Sequence, residues 1–118
     1  MIYIIDDDPY VRRGFGMLFK SAELEYASFD SAEGFLGGFQ PGENDMIILD
    51  IHMPGMNGCD LMETMTQKRW NPPVIVVTAY DEPFSRECAK KYGALAYLRK
   101  PIDGEVLIDL IKYSLNLV

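Results

Sequence analysis

The sequence has one histidine, His52, in 118 residues, which excludes any metal centre or catalytic triad that needs two. It has two cysteines, Cys59 and Cys88, far apart and without metal-ligand spacing. Reduced thiols in a cytoplasmic protein are the plainer expectation for them, and a structural disulfide the less favoured one. Basic residues are also short: 11 Lys and Arg against 18 Asp and Glu leave a net charge of -7. The domain is therefore not expected to grip nucleic acid directly, because phosphates need a basic face. No apolar run approaches the roughly 20 residues of a membrane span. Met1 is followed at once by Ile2-Tyr3-Ile4-Ile5 with no basic leader, which speaks against a signal peptide. With no linker, repeat or low-complexity stretch, residues 1–118 are expected to form one domain in the cytoplasm, off the membrane. What is present is ordinary for a folded chain: 48% hydrophobic and 25% charged residues. A chain of this size buries roughly two-thirds of its unfolded surface and needs no staple to fold.

Short apolar runs alternate with helix-length amphipathic segments. Ile2–Ile5 reads as a first strand and stops at Asp6-Asp7-Asp8. Tyr10 to about Ser21 follows with Val11, Phe15, Leu18 and Phe19 at helical spacing. Leu24–Phe29 reads as a second strand, and Ser31 as the cap of a short helix ending in Gly37-Gly38. Met46–Leu49 is a third strand, ended by Asp50 and a Met53-Pro54-Gly55-Met56-Asn57-Gly58 loop. A helix from about Cys59 to Arg69 carries Leu61, Met62 and Met65 on one face, and Trp70 reads as a cap over its end. Val74–Val77 is the fourth strand. Pro83 opens a fourth helix in which Phe84, Cys88 and Tyr92 recur every four residues. Leu95–Leu98 is the fifth strand. A last helix, about Asp103 to Leu115, carries Val106, Leu107, Leu110, Ile111 and Leu115 as a stripe. Five such units predict an α/β fold: a doubly wound, five-stranded parallel sheet, (βα)5, with its site at the carboxyl ends of the strands.

Those ends carry a short set of polar groups: Asp6, Asp7 and Asp8 after the first strand, Asp50 after the third, Thr78 after the fourth, and Lys100-Pro101 after the fifth. Two carboxylates ~4 Å apart at an effective dielectric of ~20 repel by about 4 kcal/mol. A divalent cation offsets this, and hard oxygen donors without His or Cys partners favour Mg²⁺, with Mn²⁺ as a substitute. Lys100 can then pair with phosphoryl oxygens, Thr78 can donate a hydroxyl hydrogen bond, and Asp50 can act as the nucleophile that forms an aspartyl phosphate. Each residue taken singly has a plainer explanation as a turn, a cap or a solvated charge. One such group at each of these strand ends, in order, outweighs those explanations.

Four segments together resemble the receiver domain of response regulators, the CheY-like, flavodoxin-like phosphoacceptor domain of two-component signalling. They are Ile4–Asp8, Ile48–Gly58, Val77-Thr78-Ala79 and Gly93–Pro101. The resemblance implies that Asp50 is phosphorylated and that Asp6 and Asp7 form the acidic pair, with Asp7 the more direct metal ligand. The backbone carbonyl of His52 is then the third protein ligand. It gives Thr78 and Tyr97 the role of a switch pair, makes Lys100 the phosphoryl-pairing lysine and makes Lys100–Pro101 a cis peptide. The phosphoryl donor would be a sensor histidine kinase or a histidine phosphotransfer protein. Phosphorylation would alter the surface of the fourth helix, fifth strand and fifth helix, and a phosphorylation-dependent homodimer would form through the fourth helix and fifth strand. Such a domain promotes its own phosphorylation and dephosphorylation but is a switch, not a metabolic enzyme. His52 and Tyr80 occupy positions that tune the lifetime of the phosphoryl group, although an exposed imidazole with only its backbone engaged is the plainer expectation for His52.

Two details depart from the common pattern: Asp8 is a third acid, read as a helix-start residue, and Ile102 stands where an aromatic often follows Lys-Pro. The chain ends at Leu117-Val118 with no helix-turn-helix, as expected of either a stand-alone receiver or an amino-terminal domain. Three rivals remain. A haloacid-dehalogenase-type Mg²⁺ phosphatase would use Asp6 and Asp8, but Tyr10 does not fit its pattern and little chain is left for a cap domain. An interaction-only pseudo-receiver would lack site residues that are present here. A flavodoxin-like FMN carrier needs a hydroxyl-rich loop where three aspartates stand.

Overall fold

The computed structural model describes residues 1–40 and 42–116; Leu117 and Val118, like Pro41, lie outside it. Five strands, β1 (Ile2–Ile5), β2 (Tyr26–Phe29), β3 (Met46–Asp50), β4 (Val74–Thr78) and β5 (Ala96–Arg99), form one parallel sheet in the order β2-β1-β3-β4-β5. Strands β3 and β4 are buried over their full length, so they read as unbroken apolar runs rather than as alternating ones.

Alternation along the strands sends their side chains to two separate cores. Ile2, Ile4, Met46, Ile48, Ile75 and Val77 face α1 (Pro9–Ser21) and α5 (Gly104–Ser114), where Phe15, Phe19, Leu107 and Ile111 meet them. Ile5, Ile47, Leu49, Val74 and Val76 face α2 (Ala32–Gly38), α3 (Gly58–Gln67) and α4 (Pro83–Lys91). The second core is closed at its base by an aromatic cluster in which Phe35 stacks on Phe39 at 4.6 Å and Phe39 meets Trp70 at 5.3 Å. Trp70 covers the end of α3, and its own N–H donates to the Met65 carbonyl at 2.9 Å.

Local signals set the helix starts. Asp8, Ser31, Asn57 and Asp103 each accept backbone N–H bonds at the head of their helices, and Asn57 forms a reciprocal capping box with Asp60. Ser31→Ala is expected to lower stability by about 1 kcal/mol in denaturant unfolding, because α2 is short and Gly34 N–H loses its acceptor.

Five local expectations need correction. The second strand starts at Tyr26, not Leu24. Glu23 turns the chain with φ 59, and Leu24 N–H bonds back to the Phe19 carbonyl at 2.8 Å, so these residues finish α1. The fifth strand lies one residue later than Leu95–Leu98, and α3 begins at Gly58. Val106 and Phe84, counted among the apolar stripes, are exposed, because the sheet takes up Leu107 and Ile111 from α5, and Cys88 and Ala89 from α4. Finally, Cys59 and Cys88 are joined in a disulfide, with Cα atoms 5.9 Å apart. Their separation of 29 residues says nothing about distance in a fold where consecutive crossovers set α3 beside α4 on one face. Gly16, a poor helix former inside α1, leaves room for the Tyr26 ring: a Cβ there would lie 2.8 Å from the Tyr26 hydroxyl.

Candidate functional site

The alternation that builds the two cores also sorts the polar groups at the carboxyl ends. Asp6, Asp50 and Lys100 continue the series that faces α1 and α5, whereas Thr78 and Tyr97 continue the series that faces α3 and α4. The register extends this. Ile5 pairs with Leu49, so Asp6 and Asp50 follow side by side, and Thr78 pairs with Arg99, just before Lys100.

The result is a compact acid pocket. Carboxylate oxygens of Asp6, Asp7 and Asp50 all lie within 4.8 Å of one another. Asp6 and Asp50 are buried and Asp7 is exposed. Lys100 donates to Asp6 Oδ2 at 2.8 Å and stands 3.8 Å from Asp50 Oδ1. Asp6 Oδ1 accepts the Asp8 N–H at 2.9 Å, and the Asp6 carbonyl accepts from the Arg12 guanidinium at 2.7 Å. Asp8 itself caps α1, its Oδ1 accepting the Tyr10 N–H at 2.8 Å. The Lys100–Pro101 peptide is cis.

Burial first, and then the neighbouring Asp6 carboxylate, push the Asp50 carboxyl from 3.8 up to about 6; Lys100 and a His52 backbone hydrogen bond restrain the rise. Without a cation, then, the pocket holds more negative charge than Lys100 balances. The donors are hard oxygens only, with no imidazole or thiolate among them, which fits magnesium or manganese. Magnesium at a hundred times its dissociation constant is expected to add about 2.7 kcal/mol to the unfolding free energy. Asp7→Ala, which removes an exposed donor, should abolish most of that gain, as read by urea unfolding with and without a chelator.

Thr78 is fully buried, and its hydroxyl is engaged in the next loop, donating to the Tyr80 carbonyl and accepting the Tyr80 N–H, both at 3.2 Å. Tyr97 is half-buried beside β4, and its hydroxyl donates to Asp81 Oδ1 at 3.1 Å. Arg86 closes on the same carboxylate, its NH2 nitrogen donating to Oδ2 at 2.6 Å. Held first by Arg86 and also by the Tyr97 hydroxyl, the Asp81 carboxyl falls to about 2. His52 Nε2 lies 3.0 Å from Glu82 Oε1 and 3.4 Å from Ser85 Oγ, and its ring meets Tyr80 edge-on at 5.3 Å. The imidazole therefore has partners on the β4–α4 side instead of standing free.

Arg12, Asp81, Glu82, Ser85 and Arg86 were not singled out from the sequence. Arg12 had a faint signal, lying one helical turn after Asp8. Of the other four, Glu82 and Ser85 meet the β3 loop at His52, while Asp81 and Arg86 hold the Tyr97 hydroxyl of β5, contacts that leave no periodic trace. Gly58 is the remaining addition. A Cβ there would stand 2.5 Å from the Asp50 carbonyl oxygen, so the start of α3 can press on the strand end only without a side chain.

Beside Lys100, an open apolar groove of about 640 Å³ runs between α1 and the segment Pro101–Gly104, lined by Val11, Phe15, Leu18 and Ile102. No helix among the described residues is long and apolar enough to cross a membrane.

A family model described as "Response regulator receiver domain" matches residues 2–112. The transcriptional regulatory protein FixJ of Azorhizobium caulinodans is 34% identical over 116 residues, covering 98% of this chain and 54% of that protein. Among solved structures, the response regulator StyR superposes with a TM-score of 0.88 at 37% identity, covering 98% of this chain and 59% of that one. The structure titled FixJ-N gives 0.87 at 26% identity, covering 99% and 94%. The chain thus spans about half the length of the curated relatives it matches first.

Proposed function

The chain belongs to the response regulator receiver domain family, and from that premise we propose that it takes a phosphoryl group onto Asp50 in a magnesium-dependent reaction. The donor is a phosphohistidine of a sensor kinase or of a histidine phosphotransfer protein. An Asp50 carboxylate oxygen attacks phosphorus in line, the nitrogen–phosphorus bond breaks, and the departing imidazole takes up a proton. The observation that carries this reading is the convergence of three carboxylates and one lysine at the carboxyl ends of β1, β3 and β5.

Asp6, Asp7, Asp50 and the His52 carbonyl would hold the metal ion, which supplies charge neutralisation for the incoming phosphoryl oxygens. Lys100 leaves Asp6 to pair with a phosphoryl oxygen. The Thr78 hydroxyl leaves the Tyr80 backbone for another, and the space it vacates accepts Tyr97, which gives up Asp81. That exchange alters the face formed by α4, β5 and α5, through which an output is controlled and a homodimer forms. Phosphorylation shifts an existing equilibrium rather than creating a new state. Several relatives are named as transcriptional regulators, and a DNA-binding output is the one we propose for the whole protein. Asp8, turned to the start of α1, takes no part in the pocket's chemistry, so the phosphatase alternative loses one of its two acids.

Incubation with acetyl phosphate tests the proposal. Intact mass should rise by one phosphoryl group with magnesium and not with a chelator. Turnover of simple phosphate esters that depends on Asp6 and Asp8 but not Asp50 would reverse the conclusion. Lys100→Met is expected to slow phosphorylation at least about tenfold, since it removes the ammonium group that pairs with the transferring group beside the metal ion.

A further inference from the structure

The bridge between Cys59 and Cys88 has no part in the phosphoryl chemistry, yet it joins the helix that presses on the end of β3 to the helix whose start meets His52. Cys59 is the second residue of α3, directly after Gly58, which leaves no room for a Cβ against the Asp50 carbonyl. Cys88 lies on α4, whose amino-terminal end meets the β3 loop through Glu82 and Ser85 at His52. Helix α4 is otherwise lightly held. Its buried residues are Ser85, Cys88 and Ala89, all small, and no side chain caps its start. A helix with so little apolar surface in the core opens easily, and a covalent tie changes that more than it would for α5, which buries Leu107 and Ile111.

We propose that Cys59 and Cys88 are a reversible thiol–disulfide clamp, closed by a peroxide-class oxidant and opened by a thiol reductant, that sets how firmly α4 is held to α3. Cys59 is half-buried in the first turn of α3, and Cys88 is the more buried of the two. The Cys59 thiolate attacks a peroxide oxygen, the oxygen–oxygen bond breaks, and a sulfenic acid forms with release of the first water. The Cys88 thiolate then displaces the second water as the sulfur–sulfur bond closes. With hydrogen peroxide, two thiols thus yield one disulfide and two waters, the thiol protons completing the waters and two electrons passing to the peroxide; an organic peroxide releases its alcohol in place of the first water. Receivers are expected in a reducing compartment, and disulfides there are characteristically transient and redox-sensing. One consequence rests on the receiver reading: with α4 clamped, Glu82 and Ser85 keep His52 beside Tyr80, and the phosphoryl group on Asp50 is lost to water more slowly.

The test compares the whole chain after treatment with hydrogen peroxide and after treatment with dithiothreitol. Thiol titration should find both cysteines free in the reduced protein and neither in the oxidised one. Amide exchange over residues 83–91 should be at least about tenfold faster in the reduced protein, with α1 and α5 unchanged. Cys59→Ser and Cys88→Ser should each match the reduced protein under both treatments, far-ultraviolet circular dichroism confirming that they fold. The clamp is overturned if peroxide leaves both thiols free in the folded protein, or if exchange in α4 is the same in both states. The phosphoryl half-life should be about threefold or more longer in the oxidised protein, given the tighter α4. Equal half-lives would overturn the link to Asp50. A protein that accepts no phosphoryl group at all would count against the receiver reading instead, and the exchange comparison would still decide the clamp.

Discussion

Asp50→Asn is expected to abolish phosphoryl uptake and, at the same time, to make the magnesium-free protein more stable by about 2–3 kcal/mol above pH 6. The two effects have one origin. Asp50 ends β3 with its carboxylate buried beside Asp6, and the pair is only partly balanced by Lys100, which is closer to Asp6. Its carboxyl therefore holds a proton up to about pH 6 in the folded protein, against 3.8 when unfolded. A folded value above the unfolded one means that the native state binds the proton more tightly. The penalty for charging Asp50 is absent below about 3.8, grows between 3.8 and about 6, and is complete above that. An amide of nearly the same shape escapes it. Urea unfolding in a chelator should therefore show wild type and Asp50→Asn converging near pH 4 and separating as pH rises. A variant less stable than wild type at pH 7 would contradict the electrostatic account.

Gly58→Ala is expected to lower stability by about 3 kcal/mol, a large effect for one methyl group. The added Cβ would meet the Asp50 carbonyl oxygen at 2.5 Å and the Ile51 Cα at 2.9 Å. Both are backbone atoms and cannot swing aside. Gly58 N–H also bonds the Ile51 carbonyl at 2.9 Å, so the start of α3 cannot back away without losing that bond. Relief must come from a shift of the β3 end, which carries the phosphoacceptor. The variant should thus lose phosphorylation rate in folded samples as well as stability, the first read with acetyl phosphate and the second by denaturant unfolding. Normal stability together with normal rate would show that the close approach has no consequence.

Much of this architecture was legible because parallel strands buried on both faces spell themselves as apolar runs, as Met46–Leu49 and Val74–Val77 do. The acid pocket followed from the same reading, since residues just past those runs must share one edge of the sheet. The order of the strands then brings Asp6, Asp50 and Lys100 together on one face. Relations between helices were not legible. Cys59 and Cys88 meet because α3 and α4 pack side by side, and nothing in either helix's own pattern signals its neighbour. The Glu82 and Ser85 contacts to His52 arise in the same way. Val106 and Phe84 misled for a related reason: helical periodicity names a stripe but not how wide a stripe the sheet will cover. The start of β2 was misplaced because Leu24 is apolar yet spends its N–H on α1.

The most direct test of the central claim is to trap the phosphorylated protein with borohydride, which reduces an acyl phosphate to an alcohol, and then to sequence its peptides by mass spectrometry. After incubation with acetyl phosphate and magnesium, homoserine should appear at position 50 and at no other aspartate. Reduction at Asp6, Asp7 or Asp8, or a phosphoryl group that resists borohydride on a hydroxyl side chain, would contradict the account.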